Sequence, residues 1–113
     1  MESIRGLTPT PAHRTVVLGW LRRPAQRLIM RNWLAITIGP LIFSWRTLDE
    51  VELAHELEHV RQWRRHGLAY IYRYFRASDD AVRAGGHRYH DNIFEVEARA
   101  AEELARVRLM EAL

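Results

Sequence analysis

The stretch from Asp49 to Gly67 constrains the fold of this 113-residue chain more than any other, because it carries its own start, its own stop and a helical apolar period. Asp49 is followed three residues later by Glu52, the signature of a capping box, and Thr47 with Glu50 repeats that signature two residues earlier. Leu53, Leu57 and Val60 recur at spacings of four and three, which puts an apolar stripe on one side of a helix that runs to His66 and stops at Gly67. Arg61, Arg64, Arg65 and His66 crowd its last turns, where the helix dipole favours positive charge. On this helix His55 and His59 lie about 40° from one another and stack on one face, so that two imidazoles can grip one zinc ion. Glu56 is about 100° around from His55, on the flank, where a carboxylate reaches a zinc-activated water without ligating the metal. That is the place of a general base. The competing reading is a solvated face of i,i+4 contacts. The apolar stripe beside the histidines counts against it, since histidines at the edge of a core need partners.

The length suits one domain with one modest core. Residues 1–12, with Pro9 and Pro11 and no apolar period, read as an extended lead-in, and residues 13–113 as a single domain. Thr15 to Leu21 makes either a short strand or the start of a helix stopped near Pro24. Leu28 to Trp45 is rich in Ile, Leu, Trp, Phe and Thr and is interrupted by Gly39-Pro40, the mark of a hairpin or small meander. Such a sheet packs one face on the apolar stripe and leaves an edge strand to pair with an extended peptide. Leu68 to Arg76 reads as a second helix with a short continuation capped around Ser78-Asp79-Asp80, Gly85-Gly86 as a flexible loop, and Ile93 to Leu113 as a terminal helix. Tyr70, Tyr72 and Tyr74 line either a cleft or the core. The expected class is therefore α+β, a small antiparallel sheet packed on a central zinc-binding helix with further helices after it.

With no cysteine, disulfides and thiolate zinc sites are excluded, and nitrogen and oxygen are the only ligands on offer. The net charge of +3 comes from seventeen basic residues, all of them Arg. They are scattered among glutamates and form no stripe to track a phosphate backbone, so no nucleic-acid partner is expected. The longest apolar run, Trp33 to Trp45, is broken by Thr37, Gly39, Pro40 and Ser44 and is too short for a membrane span. No secretory pattern opens the chain, and a cytoplasmic location is the expectation.

Two histidines do not complete a catalytic zinc site, which takes three protein ligands and an open position. A third histidine in the pattern His-Glu-x-x-His-x-x-Gly-x-x-His is ruled out, because Gln62 and Arg65 stand at its Gly and His positions. His66 is about 10 Å further along the helix than His59 and out of reach of the same ion. The remaining source is a glutamate on the terminal helix, Glu95 or Glu97. These are about 200° apart and cannot both face the metal, and the apolar neighbours of each leave the choice open.

The combination His55-Glu56-x-x-His59-Val60-x-Gln62 with Tyr89-x-x-Asn92-x-Phe94-Glu95-x-Glu97-Ala98 resembles the gluzincin group of zinc metallopeptidases. More narrowly, it is similar to very small bacterial gluzincin-like domains of mostly unassigned substrate, over about residues 28 to 100. The resemblance implies a minimal zincin-like domain with Glu95, followed three residues later by the small Ala98, as third ligand. It implies hydrolysis of peptide bonds in a peptide or protein substrate, with Zn2+ as cofactor, a zinc-activated water and Glu56 as general base. Tyr89, His87 and His90 lie just before the third-ligand helix and are the candidates for oxyanion or substrate contacts. One departure stands out. Arg99 occupies the place where larger gluzincins carry an Asp that orients a ligating histidine, and Asp91 and Glu103 are the candidates to replace it. Two other classes compete: a zinc-binding or interaction module without turnover on the same scaffold, and a structural protein that needs no metal.

Overall fold

The computed structural model describes residues 10–21 and 34–113. The lead-in expected over 1–12 lies outside the described residues as far as residue 9. So do the stop expected near Pro24 and the first part, 28–33, of the expected hairpin region. Among the described residues, three short strands, β1 (Arg14–Val17), β2 (Ala35–Ile38) and β3 (Leu41–Ser44), precede three helices, α1 (Glu50–His66), α2 (Ala69–Arg83) and α3 (Ile93–Glu111). A 3₁₀ turn, Gly19–Leu21, follows β1. The class is α+β. Among the described residues no helix is long and apolar enough to cross a membrane.

The sheet order is β1-β3-β2, and the sheet is mixed, which corrects the expectation of an antiparallel one. β2 and β3 form the hairpin read from Gly39-Pro40, with Ile38 opposite Leu41. Gly39 has φ of +59°, and Pro40 holds its own φ near −65°, so the two-residue turn is of the II′ kind rather than I′. β1 instead runs parallel to β3, with Thr15 beside Ile42 and Val16 beside Phe43. A parallel partner reached through a connection of a dozen residues or more leaves no turn signal next to the strand.

Alternation along β2 and β3 sends Ala35, Thr37, Ile42 and Ser44 to one face. There Ile42 and Val60 are fully buried and pack with Leu57, and Ala35, Leu48 and Leu53 close around them. The apolar stripe of α1 thus meets the sheet. Asp49 caps α1: its carboxylate accepts the N–H of Glu52 (2.7 Å), and the Glu52 carboxylate accepts the N–H of Asp49 (3.0 Å). Arg46 grips the same Glu52 carboxylate with two nitrogens, at 2.8 and 2.6 Å, fixing the entry to the helix. Gly67 ends α1 with φ +60° and ψ −147°, outside the left-handed helical well expected of an αL stop but open to glycine.

α2 continues unbroken from Ala69 to Arg83, where a break after Arg76 was expected. Ser78 does not cap a new segment. It is buried within the helix, and its hydroxyl accepts a hydrogen bond from Asn92 Nδ2 at 2.9 Å. Asn92, also fully buried, donates to Tyr74 O (3.0 Å) and caps α3 by accepting the N–H of Phe94 (2.9 Å). One side chain therefore starts α3 and fastens it to α2. The Gly85-Gly86 segment is a structured turn: Gly86 donates to Ala81 O (2.8 Å), and a Cβ on Gly86 would lie 2.6 Å from Asp91 Oδ2.

Candidate metal centre

The face of α1 that carries His55 and His59 is turned toward α3, and Glu95 is in the first turn of α3, three residues after its cap. One nitrogen from each histidine and one Glu95 oxygen lie within 4.8 Å of one another, a group that could hold a metal ion. Glu95 Oε1 is 3.2 Å from Nε2 of both His55 and His59. Glu97, the other glutamate the sequence left open, faces away and accepts from Gln62 Nε2 at 3.0 Å.

The outer nitrogens fix the tautomers. Gln62 is fully buried, and its amide nitrogen donates to Phe94 O (3.0 Å) and to Glu97. Its oxygen must then face the other way, where it accepts from Tyr70 Oη (2.7 Å) and lies 2.9 Å from His59 Nδ1. Only an N–H can sit at that nitrogen, so neutral His59 carries its proton on Nδ1 and points a lone pair from Nε2 at Glu95. His55 is held in the same tautomer, because its Nδ1 pairs with the Glu102 carboxylate. Tyr74 donates to the second oxygen of Glu95, Oε2, at 2.5 Å. Oε1 is the oxygen left for the histidines.

Three acceptors facing one point repel one another unless a cation lies between them. Without a metal the cation is a proton. Burial works to lower the pKa of His59, yet the hydrogen bond and charge of Glu95 outweigh it and push the imidazole up to about 9. His55 is raised by the same balance. Burial works to raise Glu95, but the two imidazoles and Tyr74 hold it well below the usual carboxylate range. A carboxylate only 3% exposed, at the meeting point of two metal-ligating tautomers, fits a metal ion by the chemistry of its donor set.

Beside this centre a cavity of about 1030 Å³ lies between β2, α1 and α2, with Thr37, Val51, Glu56, Tyr74, Phe75 and Tyr89 in its walls. Glu56 Oε1 accepts from Thr37 Oγ1 at 2.8 Å, and Oε2 has no hydrogen-bond partner among the described residues. Of the three expected contact residues, Tyr89 lines the cavity, and burial together with the Glu95 charge holds its phenol protonated far above the ordinary range. His87 and His90 do not line it. His87 Nδ1 accepts the N–H groups of Tyr89 (3.1 Å) and His90 (3.0 Å), which shapes the loop instead.

The group that orients His55 is Glu102, neither of the two candidates named from sequence. Asp91 accepts the N–H of His87 (2.6 Å), and Glu103 pairs with Arg106 (2.7 Å). Helical period could have found Glu102: it lies seven residues after Glu95, within about 20° of the same face. Arg99, on that flank too, donates instead to His90 O. Set against known proteins, the chain matches no family model, no curated protein and no solved structure.

Proposed function

We propose that the chain is a minimal zinc metallopeptidase of the gluzincin type, with His55, His59 and Glu95 as zinc ligands and Glu56 as general base. The observation that carries this reading is the convergence of three lone-pair donors, a carboxylate and two imidazoles whose tautomers are fixed from outside. A tetrahedral ion with ligand distances near 2.0 Å has ligand–ligand edges of about 3.3 Å, close to the 3.2 Å that separates Glu95 Oε1 from each Nε2. Imidazole suits zinc, copper, iron and nickel alike, and the His-Glu-x-x-His spacing on one helix is what favours zinc among them.

When bound, zinc supplies a Lewis acid that lowers the pKa of water and polarises a carbonyl. Glu56, held through Oε1 by Thr37, has Oε2 free to take the proton of the attacking water and to deliver it to the leaving amine as the C–N bond breaks. Tyr89 keeps its phenolic proton, which interacts with Glu95 in the unliganded site, and can turn it to the oxyanion as that develops. Tyr74, engaged with Glu95, is a positioning residue. An extended peptide is the substrate that suits the cleft, because among the described residues β2 is an edge strand, borders the cavity and can take a peptide as the next strand.

The test is a peptide-library digest by zinc-loaded protein, with Glu56→Gln beside the wild type. Glu56→Gln should bind one zinc per chain and lose hydrolysis by 100-fold or more, in the range of general-base deletions of about 10²–10⁴. Wild-type turnover by Glu56→Gln sinks the assignment of the base. Stoichiometric zinc with no cleavage by the wild type leaves a non-catalytic metal-binding module.

A further inference from the structure

The free edge of β2 is set by parity. Leu34 O accepts the N–H of Trp45 (3.2 Å), so residues 34, 36 and 38 turn their backbone groups to β3, and Ala35 and Thr37 turn theirs outward. Among the described residues, nothing bonds the N–H of Thr37 or either group of Ala35. The fourth outward group, Thr37 O, accepts the indole N–H of Trp63 at 3.0 Å. Trp63 follows His59 by four residues and His55 by eight, so it lies about 40° round from His59, on the flank of α1 that also carries Glu56 toward Thr37, and about 6 Å further along the axis than His59. An indole nitrogen bonded to an edge carbonyl stands where the N–H of the next strand would stand, since neighbouring strands are spaced by about 4.8 Å. Tyr70 backs the indole, with ring centroids 5.0 Å apart.

We infer that Trp63 sets the length of peptide this cleft accepts, an inference that rests on the peptidase reading of the site. A peptide laid on β2 pairs with Ala35 N–H, Ala35 C=O and Thr37 N–H, and the indole stops it at Thr37. At about 3.3 Å per extended residue, the 6 Å between His59 and Trp63 holds roughly two residues. The substrate class is thus a peptide engaged near one of its ends, with at most about two residues on the Trp63 side of the metal and free extension on the other.

The experiment uses zinc-loaded Glu56→Gln, which leaves peptides intact. Its ligands are two nested series of acetylated and amidated peptides that share a Leu-Ala core and grow one residue at a time toward either terminus. Affinity should rise with length in one series and fall at least tenfold beyond a fixed length in the other. Adding Trp63→Leu should remove that fall to within twofold, whereas Trp63→Phe, which keeps a ring without a donor, should retain it. Zinc stoichiometry in both double variants reports that they are folded. Should Trp63→Leu lose the metal, the indole N–H of Trp63 decides. The longest well-bound peptide must shift the amide resonances of Ala35 and Thr37 and leave the indole N–H slowly exchanging, and a rapidly exchanging indole refutes the inference. It is equally overturned if affinity rises or stays level in both series, if the fall survives Trp63→Leu, or if no peptide binds. The outcomes separate the two readings: a length limit on binding with no hydrolysis by the wild type removes the peptidase and keeps the role of Trp63.

Discussion

Replacing Gln62 probes the tautomer lock directly, because this one amide holds His59 from behind. Gln62→Leu has nearly the same volume and removes four polar contacts, to Phe94 O, Glu97, Tyr70 and His59. Two of the partners recover. Phe94 O sits inside α3 and has a helical partner, and Glu97 is only half-buried and can take water. Tyr70 Oη and His59 Nδ1 remain, 3.3 Å apart, and the one hydrogen bond between them leaves one of their two protons without an acceptor. An orphaned buried group costs about 1–3 kcal/mol, so metal-free Gln62→Leu should lose stability of that order. With Nδ1–H no longer held, the ring is free to turn and to exchange tautomers. Metal affinity should then fall about 10- to 100-fold, or about 1.4–2.8 kcal/mol. Gln62→Glu keeps an acceptor for both His59 and Tyr70 but faces Glu97 and loses its donors. It should be destabilised yet bind metal within about threefold of wild type. Competition against a zinc chelator at pH 7.5, with thermal melts of the metal-free proteins, separates the two. Equal losses of affinity in Gln62→Leu and Gln62→Glu, or wild-type affinity in Gln62→Leu, would refute the lock.

Glu102→Ala should lower metal affinity by about 10- to 100-fold, while Glu103→Ala and Asp91→Ala leave it within twofold, as the same chelator competition would show. The metal-free protein should lose stability as pH rises. His59 is raised from its ordinary 6.5 to about 9, so its contribution is complete below pH 6.5 and disappears as pH climbs through 9. The loss is of order 3 kcal/mol, and denaturant melts across that range measure it. Glu95, depressed, contributes from the other side: its share is present above the ordinary carboxylate range and is lost on acidification through its lowered folded pKa. The metal-loaded protein should not soften between pH 6.5 and 9, because the ion stands where the proton was. Parallel pH profiles with and without metal would contradict this account of the site.

How much of the molecule could be read from the sequence depends on how local its determinants are. α1 was legible at both ends because Asp49, Glu52 and Gly67 act within a few residues of the helix they bound. The β2–β3 hairpin was legible for the same reason, through Gly39-Pro40. β1 pairs with a strand more than twenty residues away in the chain, and its parallel sense could not be read from its own four residues. Ser78 looked like a cap because serine favours caps, but a buried asparagine from another helix takes its hydroxyl. In the site, His55, His59 and Glu56 follow from one helical spacing. The choice between Glu95 and Glu97 depends on how α3 is rolled against α1, and the Gln62 amide helps to fix that roll by reaching both Phe94 and Glu97. Glu102 does not stand out in the sequence because a histidine partner is usual at the position of Arg99, whereas about one further helical turn reaches the same face.

The side-chain bonds of Asn92, to Tyr74, Ser78 and Phe94, all lie outside residues 84–91, and the loop meets α3 through main-chain carbonyls, Tyr89 O on the Asn92 N–H and His90 O on Arg99. Glu95 thus takes its position chiefly from the asparagine and the helices it joins. Over evolutionary time the side chains between His87 and His90 are consequently freer to change than Asn92, because main-chain carbonyls at Tyr89 and His90 make the loop's bonds to α3. Tyr89 belongs to that loop and to the wall of the cavity, so such drift would reshape what the cleft accepts while His55, His59 and Glu95 stay on their helices. Selectivity and metal retention are in this sense inherited through different parts of the chain, divided at one buried amide.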